Sequence, residues 1–361
     1  MIEKEFLPSK DVIYENKNGS FSWSSPSNIA LVKYWGKEGV QIPKNPSVSF
    51  TLSHCKTITE VVFTKKKADN NFSFNVFLDN KKKDTFRPKI QTFFERISLY
   101  LPFLKTYHFD IKTQNTFPHS SGIASSASGM SALALCLVRI EEALIGKPYL
   151  QSFFYKKASF LSRLGSGSAC RSLEGDLVVW GQHKHIENSS DLYGIRYPYT
   201  VHENFKNYQD TILLIDVGEK EVSSTVGHNL MHNHPFSKQR FQQAYDNISK
   251  IIPTLETGDL DQFVSLVEME ALALHAMMMT SNPYFILMKP KTLEVINKIW
   301  NYRKRNQSKL CFTLDAGANV HLLYPESEKN DIHLFIKKDL VKYCKDGQYI
   351  LDEVGFGAKQ L

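Results

Sequence analysis

Cysteine pairs, long apolar runs and metal-binding signatures are what this chain has least of. Its five cysteines (Cys55, Cys136, Cys170, Cys311 and Cys344) are scattered, odd in number and without a C-x-x-C pair. Neither a disulfide framework nor a cysteine-based zinc site is expected, and the thiols read as reduced and mostly buried. No apolar stretch reaches the roughly 18 residues of a membrane span. The amino end carries Glu3, Lys4 and Glu5 where a signal peptide would be apolar. A cytoplasmic protein without a membrane partner is therefore expected. His228, His232 and His234 lie close together, but no H-E-x-x-H pattern accompanies them. They read as loop histidines before Pro235, not as a metal centre. No internal repeat is visible, and a net charge of +7 over 361 residues is too modest to demand a nucleic-acid partner.

What is present is enough apolar material for two cores. At 361 residues with 42% hydrophobic content, two domains are more plausible than one. Short strand-like runs (Glu60-Val61-Val62-Phe63, Leu177-Val178-Val179-Trp180) surround a strongly periodic segment. Met130, Leu133, Ala134, Leu137, Ile140 and Leu144 recur at helical spacing, so a buried helix is predicted over 126–145. Ser73 to Leu78 alternates as a strand, which puts Lys65 to Lys67 and Lys81 to Lys83 at solvated hairpin ends. A polar stretch over 181–209 precedes a fresh strand signal at Thr211 to Asp216, and the domain boundary is placed between 205 and 206. Beyond it, helices are expected over 236–253, 259–279 and 291–304, with a strand at Leu310 to Leu314. The first domain is then α/β and the second α+β.

Four segments carry chemistry. Gly-Ser-Gly-Ser-Ala-Cys-Arg-Ser at 165–172 sets Arg171 among small residues and main-chain donors, offering a planar fork to a carboxylate or phosphate. The bland alternative is a partnered interdomain arginine. Lys33 and Lys37 flank Tyr34 and Trp35, presenting two cations and a phenol to a polyanion, or else an ordinary surface pair. Ser120 to Gly129 is rich in serine and leads into the periodic helix, where free N–H groups cradle phosphate. It lacks the Walker ending, and close helix packing is the other reading. Ser125 and Ser126 would add hydroxyls for a phosphate or its Mg²⁺. Asp315 follows an apolar strand and precedes Ala-Gly-Ala-Asn, which suits a carboxylate delivered into a cleft or a turn aspartate bonding its own backbone.

Read in order, these segments resemble the diphosphomevalonate decarboxylases of the GHMP kinase superfamily. The resemblance runs from about residue 22 to about 325, on NIALVKYWGK (28–37), NPSVSFTL (45–52), FPHSSGIASSASGMSALAL (117–135), LGSGSACRSLEGDLVVW (164–180), SSTVGH (223–228), ALHAMMMTSNPYF (273–285) and FTLDAGANV (312–320). It implies a two-domain α+β GHMP kinase fold, with an α/β ATP-binding domain at 1–205, an α+β ferredoxin-like domain at 206–361, and ATP and substrate in the cleft between. It implies ATP-dependent decarboxylation of (R)-5-diphosphomevalonate to isopentenyl diphosphate, with ATP and Mg²⁺ as cofactors, in a homodimer. Asp315, Lys33, Arg171 and Asn28 would be catalytic. Tyr34, Lys37, Ser166, Gly167, Ser168, Arg171 and Ser224 would hold substrate, while Ser120, Ser121, Gly122, Ala124, Ser125 and Ser126 would hold ATP. Ala318, Asp176, His228 and Pro46 depart from the family pattern, standing where proline, glycine, methionine and a small polar residue are usual. A mevalonate or phosphomevalonate kinase, or a non-catalytic homologue, remains the alternative.

Overall fold

Apolar patterning sorts most of the strands into two sheets, beside one small two-stranded ribbon. The computed structural model describes residues 3–9, 11–67, 71–118, 123–218 and 224–361. The first sheet is built on two long antiparallel strands, Gly19–Val32 and Ser47–Lys65, paired from Gly19 opposite Phe63 to Val32 opposite Val48. Residues 23–32 are buried without interruption, the mark of a strand covered on both faces. The far half of Ser47–Lys65 alternates, because there only one face is covered. Tyr107–Asn115 pairs with that far half and Leu177–Trp180 with the near half. Ser73–Leu78 joins in parallel, and Lys81–Lys82 returns through Asp79 and Asn80, both left-handed. The lysines at 81 and 82 are exposed at a hairpin end, as their spacing predicts.

The helix expected over 126–145 spans Ser125–Ile145 and ends at Gly146, whose φ of 72° suits glycine. It covers one face of the first sheet. Helix Gln151–Gly165 packs against it and runs directly into the 3₁₀ turn Gly167–Arg171. All five cysteines are buried free thiols.

The second sheet has the order Cys311–Thr313, Val320–Tyr324, Gln209–Leu213, Tyr349–Glu353, antiparallel throughout. Helices Ser237–Thr257, Leu260–Met279 and Pro290–Asn306 accompany it. The first of these passes the stop expected at Pro253 and ends only at Gly258, where φ is 77°. Buried Ile251, Thr254 and Leu255 supply the packing that offsets a proline in the last turn. Asp259 then caps the next helix, its side chain accepting from Gln262 N at 3.0 Å.

The two sheets share one apolar core. Ile29, Leu31 and Phe50 of the first pack in a single cluster with Ile212, Ile248 and Phe263 of the second half. Each such side chain contributes about 1.5–3 kcal/mol on burial, so the halves stabilise one another. The carboxyl end also crosses back, with Lys359–Gln360 pairing against Ser24 and Trp23. Among the described residues, no helix is long and apolar enough to cross a membrane.

Candidate active site

The strand Gly19–Val32 ends where the shared core meets solvent, and the next residue is Lys33. Its side chain is 2% exposed, and Nζ donates to Asp315 Oδ1 at 3.0 Å. Asp315 is 29% exposed, so the carboxylate faces an opening while the ammonium lies beneath it. Burial pushes the lysine down from its ordinary value, Asp315 pulls it back up, Arg171 lowers it again, and Glu270 raises it. The loop carrying Asp315 is pinned at its backbone. His275 Nε2 lies 3.1 Å from the Asp315 carbonyl, and Thr292 Oγ1 donates to Ala318 O at 2.7 Å.

Lys33 is also fixed through its main chain. Its N–H donates to Glu270 Oε2 at 2.8 Å, and its carbonyl accepts from Asn45 Nδ2 at 2.9 Å and Arg240 Nη2 at 3.3 Å. Arg240 grips both oxygens of Glu270, at 3.0 and 2.5 Å, and Asn247 Nδ2 adds a bond of 2.6 Å. Arg240 and Glu270 are 1% and 0% exposed. Two helices of the second half thus set the backbone of a residue from the first.

Arg171, 4% exposed, sits at the end of the 3₁₀ turn. Its Nε donates to Asn28 Oδ1 at 3.4 Å and its Nη1 to Ser47 Oγ. Asn28 is itself oriented by donating to Ser172 Oγ at 2.7 Å and Ser168 O at 3.3 Å. The guanidinium lies 5.8 Å from the Trp180 ring centroid. Burial presses Arg171 down, opposed by Cys170, Asp315 and Tyr34. A planar cation with part of its donor set used for positioning suits a planar anion. The strand start Ser47, placed after the unusual Pro46, is oriented to hold it.

Tyr34 packs on Trp180 (4.6 Å between centroids) and on His228 (4.3 Å). Its hydroxyl is sealed and without a partner, and burial raises its pKa. Gly167 lies close beside it, since a Cβ there would sit 3.0 Å from Tyr34 Oη and from the Trp180 ring and crowd both. Lys37 stands on a small ribbon, Lys37–Glu38 against Ile42–Pro43, and Nζ donates to Gln41 Oε1 at 3.2 Å. Arg163 ties the ribbon's turn by donating to Val40 O at 2.6 Å.

The start of helix Ser125–Ile145 lies on the same side. Ala124 precedes it in a left-handed conformation, φ 41°. Ser126 is exposed, with Oγ 3.1 Å from Ser166 Oγ. A cavity of about 250 Å³ opens beside it, bounded by Thr57, Thr113, Asn115, Ser125, Ser126 and Met130. Hydroxyls at a helix start beside a mostly apolar cavity fit a nucleotide and its Mg²⁺. Ser120, Ser121 and Gly122 lie outside the described residues, as does the side chain of Ser224.

Of the three histidines, His232 and His234 lie in the turn before Pro235 as expected, and His228 does not. His228 belongs to the short helix Ser224–Asn229, not a loop, and is 9% exposed because its ring packs on Trp35 and Tyr34. His234 is buried too, with Nε2 3.0 Å from Met277 O. His232 is exposed, and no metal-binding cluster occurs among the described residues. Sequence reasoning assigned no role to Asn45, Arg240, Asn247 or Glu270. Glu268 and Glu270 inside the apolar run of helix Leu260–Met279 were the available signal, since a carboxylate on a buried face needs a partner.

A buried lysine paired with a cleft-facing aspartate, a buried arginine and a serine-lined helix start, set between two sheets, are arranged as in an enzyme of the GHMP superfamily. The family model for the diphosphomevalonate decarboxylase-like N-terminal domain matches residues 25–191, and that for the mevalonate 5-diphosphate decarboxylase C-terminal domain matches 211–354. A diphosphomevalonate decarboxylase from Ganoderma lucidum is 28% identical over 354 residues, covering 93% of this chain and 85% of the relative. The crystal structure of a mevalonate diphosphate decarboxylase from Legionella pneumophila is 26% identical, with TM-score 0.77 over 92% of this chain and 100% of that one. MDDEF in complex with MVAPP, AMPPCP and magnesium is 25% identical, with TM-score 0.80 over 96% and 99%. The chain belongs to the diphosphomevalonate decarboxylase family.

Proposed function

We propose that this cleft performs the family reaction, ATP-dependent decarboxylation of (R)-5-diphosphomevalonate to isopentenyl diphosphate with release of ADP, phosphate and carbon dioxide, and that Asp315, Lys33, Arg171 and Asn28 carry it out. The observation that supports this best is the Lys33–Asp315 contact of 3.0 Å beside a buried, oriented Arg171. Bound ATP with Mg²⁺ supplies the phosphoryl group that makes the substrate's tertiary hydroxyl a leaving group. Asp315 accepts the proton of that hydroxyl, and Lys33 balances the charge that gathers there. Arg171 holds the substrate carboxylate, and Asn28 holds Arg171. When the C–O bond breaks, the electron pair of the adjacent C–C bond becomes the alkene and carbon dioxide departs.

Tyr34, Lys37, Ser166, Gly167, Ser168 and Ser224 would hold the diphosphate. Ala124, Ser125 and Ser126, with Ser120, Ser121 and Gly122, would hold the triphosphate, and either Ser125 or Ser126 would stand near Mg²⁺. The base would enter the 250 Å³ cavity beside them. Residues 1–205 and 206–361 would be the two domains, and a cytoplasmic homodimer belongs to the same proposal.

The test is carbon dioxide and ADP release with Mg-ATP, comparing 5-diphosphomevalonate, 5-phosphomevalonate and mevalonate at equal concentration. Matched release of both products with the diphosphate alone is expected. ADP without carbon dioxide would make the protein a kinase and remove the assigned roles of Arg171 and Asp315.

A further inference from the structure

We infer that His228 is a specificity-determining residue, an uncharged N–H donor to the terminal phosphate of the diphosphate substrate. The inference rests on the substrate reading above and adds a residue to it. The ring is fixed on three sides. Tyr34 and Trp35 pack on it at 4.3 and 4.5 Å between centroids, and Nδ1 accepts the Gly36 N–H at 2.9 Å. A nitrogen that accepts a main-chain N–H cannot carry the proton of the neutral ring, so the hydrogen resides on Nε2.

Among the described residues, no protein group accepts that Nε2–H, and the atom is not one of the sealed side-chain atoms that lack a partner, so it reaches solvent although most of the ring is buried. A donor held rigidly at such an opening is available to a ligand acceptor. The charged groups acting on the ring are Lys37 and Arg171, both cationic. Burial, then Lys37, then Arg171 hold the imidazole down to about 3, so it stays neutral at any working pH. A wall that repels a third cation yet offers a free N–H favours an oxyanion. The neighbours choose which one. His228 packs on Tyr34, whose hydroxyl also lacks a partner beside Gly167, and Lys37 acts on the ring more strongly than Arg171 does. That is the diphosphate side of the cleft.

Purified His228→Leu and His228→Gln are compared with wild type for kcat and KM toward 5-diphosphomevalonate, alongside their melting curves. A hydrogen bond to a charged oxygen is strong enough to move affinity about tenfold. The leucine variant should raise KM about tenfold with kcat within a factor of two, and glutamine, which keeps a terminal N–H, should recover most of the loss. Wild-type KM in the leucine variant would overturn the assignment, as would equal KM losses in both variants. Should His228→Leu fold poorly, ¹⁵N spectra of the wild-type ring decide. The Nε2-protonated tautomer should persist from pH 5 to 8 and its signal should shift on adding 5-diphosphomevalonate, while an unmoved signal refutes the contact. Wild type that does not turn over 5-diphosphomevalonate at all would instead remove the reading beneath it.

Discussion

Lys33 carries its charge where burial works against it, and its neighbours determine when that charge is lost. Burial lowers its pKa, and Asp315 and Glu270 only partly restore it against Arg171. A base-side loss of kcat/KM should therefore begin below the ordinary lysine range, near 10.4. A profile of kcat/KM from pH 7 to 10.5 checks this, and a flat profile would separate Lys33 from the chemistry. Asp315 is the partner with access to the cleft, so Asp315→Asn keeps shape and removes the proposed base. Turnover should drop on the order of a thousandfold, with the fold intact by circular dichroism. Arg171 spends Nε on Asn28 and Nη1 on Ser47, which a single ammonium cannot do while also holding a carboxylate. Arg171→Lys should lower kcat/KM by about a hundredfold, roughly 2.7 kcal/mol, and near-normal kinetics would remove Arg171 from the carboxylate role.

Helix Leu260–Met279 acts on the site through the backbones of Lys33 and Asp315. Its Glu270 receives the Lys33 N–H and pairs with Arg240, so the helix fixes where the end of strand Gly19–Val32 points. Glu270→Gln leaves Arg240 buried and unpaired, which costs about 3–5 kcal/mol, and a lower melting temperature follows. A purely structural role would stop there. Because Glu270 also raises Lys33, its removal should move the basic limb of the pH profile to lower pH, and an unmoved limb would confine Glu270 to stability. This element also shows why sequence reading reached some residues and not others. Arg171, Lys33 and Asp315 stood out because glycine, serine and a strand end surround them and cannot themselves fill a core. Helix Ser125–Ile145 stood out through its apolar period. Glu270 meets Lys33 across 237 positions of chain, and no local period encodes such a meeting. His228 looked like a loop residue because the aromatic faces that bury it lie nearly 200 positions earlier.

The two sheets share no continuous strand ladder, yet apolar packing and a few hydrogen bonds join them. The cluster containing Ile29, Phe50, Ile212 and Phe263 spans both, so neither half buries its apolar face alone. Asp352, at the edge of the second sheet, adds a polar clasp. Its carboxylate accepts from Ser53 N at 2.9 Å, His54 N at 2.8 Å and Cys55 N at 2.7 Å, all on the central strand of the first sheet. Beyond it Gly355 N donates to Thr51 O at 2.8 Å and Leu361 N to Ser22 O at 2.9 Å. The cleft lies along this joint, with Lys33 on one side and Asp315 on the other, so its geometry depends on the joint remaining closed. A single calorimetric transition is expected despite two sheets, with van't Hoff and calorimetric enthalpies equal. Asp352→Ala strands three main-chain N–H groups, each worth about 1–3 kcal/mol. It should lower the melting temperature by roughly 5 °C or more and reduce turnover, although Asp352 is not among the residues of the cleft. Two resolved transitions in the wild type would show that the halves fold independently and that the shared core does not couple them.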